Sequence, residues 1–119
     1  AALSNRQPGE FAARQQAKHT YDIAKNGGKH SAHYENYVNR PTREIRKSIN
    51  SYEKQISEHS YLIKNPERAM RELGKGDWLK LDPRQQRNLL EKKWPSDIKR
   101  LQEQMDIMKG ILKERGNMK

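Results

Sequence analysis

Three histidines and a lysine, His19, Lys29, His30 and His33, fall within a short stretch ahead of the chain's longest periodic segment. Metal-free cleavage of RNA needs a base to take the 2′-hydroxyl proton and an acid to protonate the leaving 5′-oxygen. It also needs a cation to offset the charge on phosphorus in the transition state. Two imidazoles titrating near neutrality and a lysine meet that need. His30 and His33 are the candidate acid and base, in an order the sequence leaves open, and Lys29 is the candidate charge stabiliser. The Gly27-Gly28 pair before them lets a backbone come close to a phosphate. The turn at that pair can also bring His19, with Arg14 and Lys18, back alongside. Tyr34 and Tyr37 offer rings for stacking on bases, and Arg14, Lys18 and Arg40 complete the candidate RNA-binding set.

The same residues permit other chemistry. A solvated basic loop whose histidines only bind gives a non-catalytic helical module for RNA or DNA. His30 and His33 also stand at i, i+3 spacing, and with Glu35 or Asp22 they form a candidate zinc set for a metal-dependent DNase. The ribonuclease reading needs neither cofactor nor metal. His59 differs from the other three: it lies on a helical seam between Ile56 and Ile63 and reads as a satisfied boundary histidine. Gly74-Lys75-Gly76 lacks the spacing of a phosphate-binding loop, and no serine stands in a strand-turn-helix elbow. With no cysteine in 119 residues, disulfides, thiolate nucleophiles and Cys-based zinc sites are excluded.

The elements that must position these groups are helices. Pro8-Gly9 precede a helical stretch over about residues 10–26, closed by Gly27-Gly28. Its Phe11, Gln15, Lys18 and Tyr21 or Asp22 share a face too mixed for a dry core. Residues 29–38 read as a short helix or an irregular turn. Beyond Pro41, the residues Ile45, Ile49, Tyr52, Ile56, His59 and Ile63 recur at alternating spacings of four and three. That seam predicts a helix over 42–64, roughly 35 Å long at 1.5 Å per residue, lying beside another helix. Asn65-Pro66 ends it, and a short helix runs from Pro66 to Leu73.

Asp82-Pro83, a cap followed by proline at the first helical position, opens a helix to about Lys93, and Trp94-Pro95 is expected to break it. From Ser96 or Asp97, the residues Ile98, Leu101, Met105, Met108 and Leu112 repeat the three-four seam until Gly116. Trp78, Leu79, Leu81, Leu89, Leu90 and Trp94 are expected to plug the open end. Nothing alternates with period two, so no sheet is expected. The fold class is therefore all-α: a long antiparallel helical hairpin with short helices and a helical N-terminal arm. Residues 1–40 form the arm and candidate active-site segment, and residues 41–119 the hairpin core, within one structural domain.

Hydrophobic residues make up 32% and charged residues 34%, enough to line one seam but not to fill a large core. The formal charge of +10 attracts polyanions: nucleic acid, an anionic membrane or an acidic protein. No apolar run approaches the ~20 residues of a membrane span, and residues 1–14 lack the apolar stretch of a signal peptide.

The chain resembles the C-terminal toxin domains of bacterial polymorphic toxins, carried by contact-dependent inhibition and Rhs-type secreted proteins. The resemblance rests on Gly27-Gly28-Lys29-His30-Ser31 with Tyr34 and Tyr37 after it. It continues through Ser48-Ile49, Ser51-Tyr52-Glu53-Lys54-Gln55-Ile56 and Glu58-His59, then Leu81-Asp82-Pro83-Arg84-Gln85-Gln86 and Lys93-Trp94-Pro95. It covers most of the chain from about Arg14. It implies a small toxin, commonly a nuclease, secreted and delivered into the cytoplasm of a target bacterium. There an acidic immunity protein would neutralise it as a monomer in complex. On that implication the chain is a ribonuclease acting on tRNA or another structured RNA, with Lys29, His30 and His33 as its leading catalytic candidates.

Overall fold

The computed structural model describes residues 20–116. Within them α1 covers 20–25, and α2 is Ser31–Tyr37. The long α3, Thr42–Lys64, is followed by α4, Pro66–Glu72, and a 3-10 turn at Trp78–Lys80. A short α5, Pro83–Asn88, passes through a π turn, Leu89–Lys93, into α6, Trp94–Glu114. The fold is all-α, with no strand among the described residues.

The two long helices form the antiparallel hairpin that their matching seams predict. Thr42 at the start of α3 meets Arg115 just past the end of α6, and His59 near the end of α3 meets Asp97 near the start of α6. Ile45 and Ile49 from α3 pack with Met108 and Leu112 from α6 in one dry cluster.

A second cluster closes the other end. Leu62, Ala69 and Met70 surround the stacked rings of Trp78 and Trp94, whose centroids are 5.8 Å apart, with Leu81, Leu89 and Leu90 around them. Leu79 departs from the expected plug: it is 68% exposed, because the 3-10 turn that buries Trp78 points the next side chain outward. Similarly, Leu62 and not Ile63 is fully buried on the last turn of α3. Leu62 lies inside the Trp cluster, and Ile63 packs against that cluster only partly buried.

Two further corrections concern helix ends and faces. Trp94-Pro95 does not break the chain. The Trp94 N–H reaches back five residues to the Leu89 carbonyl, and this wider turn makes room for a proline ring that would clash with a normal helical carbonyl. Helix α6 therefore starts at Trp94 and not at Ser96 or Asp97.

The face of the first helix also proves dry where it is described. Tyr21 and Ala24 are buried with Ile107 and Ile111 of α6, on a side of α6 that the three-four seam does not include. Tyr34, Tyr37 and Val38 pack against the same cluster. The segment carrying the candidate site is thus seated on the hairpin.

Candidate functional site at the α2–α3–α6 joint

The chain reverses direction between α1 and α2 through a left-handed glycine. Gly27 has φ +91°, and its N–H bonds the Ala24 carbonyl while Gly28 N–H reaches Ile23, which satisfies the open end of α1. Gly28 packs directly on Ile23, where a Cβ would collide. The glycine pair has this structural role whatever else approaches it.

His30 follows in a left-handed conformation, φ 68° and ψ 17°, and is the only non-glycine residue with positive φ among the described residues. Such a conformation costs on the order of 1–3 kcal/mol and persists only where surrounding contacts impose it. Here the contact is on α6. His30 Nε2 lies 3.2 Å from Glu103 Oε1, and Lys29 Nζ lies 3.1 Å from the same oxygen. Burial pushes the Glu103 carboxyl up, but hydrogen bonds from His30 and Lys29, together with their charges, outweigh it. The carboxyl is held below the usual glutamate range.

One turn further, His33 Nε2 shares a 3.2 Å hydrogen bond with the Tyr52 hydroxyl of α3. The Tyr37 ring lies 4.9 Å from the imidazole, centroid to centroid, and Tyr52 meets it edge-on. Burial, and then the nearby charge of His30, lower the pKa of His33 and favour its neutral form. Burial raises Tyr52, which stays a neutral phenol. The joint therefore holds two imidazoles in different settings, one against a carboxylate and one against a phenol.

The remaining candidates divide. Tyr34 stacks on Tyr21 at 5.8 Å and belongs to the packing between α1 and α2. Arg40 lies 4.7 Å over the Tyr37 ring and bonds the Asn36 backbone and side chain. His19, Lys18 and Arg14 lie outside the described residues. His59 is fully engaged: Nδ1 donates to the Gln55 carbonyl at 2.7 Å and Nε2 faces Asp97 at 3.4 Å. Among the described residues, no three His, Asp or Glu side chains gather as metal ligands.

Sequence reasoning missed Glu103, Tyr52 in its site role, and Arg115. Arg115 donates to the Val38 and Arg40 carbonyls, both at 2.7 Å, and to Thr42 Oγ1 at 3.1 Å, which ties the α2–α3 link to the end of α6. Glu103 and Arg115 stand more than seventy residues from their partners, so no local spacing announces them. Tyr52 was visible only as a seam residue.

No protein-family model matches the chain, and no curated protein or solved structure is significantly similar to it.

Proposed function

We propose that this chain is the toxin domain of a secreted antibacterial protein and acts as a metal-independent ribonuclease on tRNA or another structured RNA. The observation that carries the reading is the unequal setting of the two histidines at one joint. His33, kept neutral by burial, takes the 2′-hydroxyl proton. The freed oxygen attacks phosphorus, and the bond to the 5′-oxygen breaks. His30, whose Nε2 lies against the Glu103 carboxylate, is placed to give a proton to that leaving oxygen. Lys29, exposed beyond the pair, offsets the charge on the phosphate, and Tyr37 with Arg40 lies beside the substrate. The product is a 2′,3′-cyclic phosphate.

Delivery into a target cell and neutralisation by an acidic immunity protein covering the histidines follow from the resemblance to polymorphic toxin domains. The net charge of +10 agrees with both RNA and an acidic inhibitor. No helix among the described residues is long and apolar enough to cross a membrane.

One observation favours the competing reading, a binding module without catalysis: each imidazole Nε2 already has a protein partner. Incubating the protein with total RNA and with plasmid DNA, with and without chelator, separates the readings. Cleavage of RNA alone, unchanged by EDTA and leaving cyclic phosphate ends, supports the ribonuclease. Salt-sensitive binding without cleavage supports the module, and chelator-sensitive cutting of DNA the metal enzyme.

A further inference from the structure

At the closed end of the hairpin, a cleft of about 490 Å³ opens between the α3–α4 corner and the 3-10 turn. It stands far from His30 and His33, since Tyr52, which meets His33, and Lys64 are separated by about 18 Å of helix at 1.5 Å per residue. Its walls have two characters. Lys64, Arg68 and Arg71 line one side, against a single lining carboxylate, Glu67. Pro66, Trp78 and Leu79 supply the apolar part. Leu79 is the one large hydrophobic residue exposed among the described residues, and it projects at the edge of this cleft. Arg68 is held in place by Glu72, which also accepts from the Tyr61 hydroxyl at 2.7 Å.

We infer that this cleft is a docking site for an acidic segment of another protein, with a bulky aliphatic side chain seated against Leu79. The cationic residues favour carboxylates, and Leu79 with Pro66 and Trp78 offers an apolar contact beside them. Nucleic acid fits the lining less well. Single strands bind by stacking bases on open aromatic faces, whereas the Trp78 ring is buried and stacked on Trp94, and Leu79 offers no ring. An exposed aliphatic side chain beside a group of cations suits a protein contact, in which a few buried side chains carry most of the affinity and the charges set the partner. The site stands apart from the histidine joint, and its occupancy does not depend on the chemistry proposed there.

The test uses the whole chain and two synthetic peptides of Asp and Glu residues, one with a central Leu and one with Ser in its place. Binding is read by calorimetry and by tryptophan fluorescence, since Trp78 lines the cleft. The Leu peptide should bind saturably, and the Ser peptide about tenfold more weakly, as loss of one buried aliphatic side chain implies. Arg71→Glu should weaken both peptides by about tenfold or more. Leu79→Ser should weaken only the Leu peptide. Both positions are exposed, so the fold should persist in each variant. Equal affinity for the two peptides, or no effect of Leu79→Ser, would overturn the proposal. So would oligouridylate binding lost in Arg71→Glu while neither peptide binds.

Discussion

The ring of Tyr21 in α1 lies so close to the backbone of Gly110 in α6 that a Cβ on Gly110 would run into it. Glycine inside a helix costs about 1 kcal/mol relative to alanine, so its presence there has a steric cause. Gly110→Ala should recover that propensity but unseat the ring, at about 1–3 kcal/mol for overpacking. The expected net result is a lower urea midpoint. A higher midpoint would mean that α1 is not held against α6 at this point.

The hairpin depends on its dry seam. Ile49→Asp and Leu101→Asp each place a carboxylate at a buried apolar position. That costs several kcal/mol against a total stability of roughly 5–15 kcal/mol. Circular dichroism should show each variant unfolded or nearly so, while Lys54→Asp, on the exposed face of α3, should keep the parent spectrum. A stable Ile49→Asp protein would count against the α3–α6 packing.

Acid should loosen the site in two steps. The folded chain holds His33 below its ordinary value of 6.5, so the neutral form stabilises the fold. That contribution is complete above pH 6.5 and is lost as pH falls from there through the lower folded value. Glu103 is likewise held below its ordinary 4.5, and its contribution is lost only in more acid solution, below that value. Urea midpoints measured against pH should fall in both windows, and His33→Gln should flatten the first while leaving the second. An unchanged slope just below neutrality in His33→Gln would remove His33 from the account of stability.

Affinity for RNA should fall steeply with salt. Each phosphate neutralised on a single strand contributes about −0.7 to the slope of log K against log salt, and a chain with this charge should reach a slope of a few units. Filter binding over a salt series checks it. A flat response would show that the basic surface is not what RNA meets.

Much of the hairpin was legible in the sequence because its signal is local: Ile45 and Ile49, and Met108 and Leu112, repeat at helical spacing and do pack together, and Leu101 on the same seam is buried. The second buried side of α6, Ile107 and Ile111, was overlooked because its partners, Tyr21 and Ala24, are more than eighty residues away. Pro95 read as a break because proline usually is one. Only the π turn, which has no clear sequence signature, lets the helix pass through it. At the site, the histidines and lysine could be named from the sequence, but the groups that set them apart could not. Glu103 lies seventy-three residues from His30, and Tyr52 nineteen from His33. The left-handed backbone at His30 was equally hidden, since only a few per cent of non-glycine residues adopt it.

Cleavage of RNA by the parent, His30→Ala and His33→Ala proteins, in EDTA and at neutral pH, tests the central claim most directly. The account predicts that the parent leaves 2′,3′-cyclic phosphate ends. Each variant should be slower by at least ~10²-fold with an unchanged helical spectrum, the usual loss for a missing general acid or base. Full activity in the double variant His30→Ala/His33→Ala would contradict it and take the chemistry away from this joint.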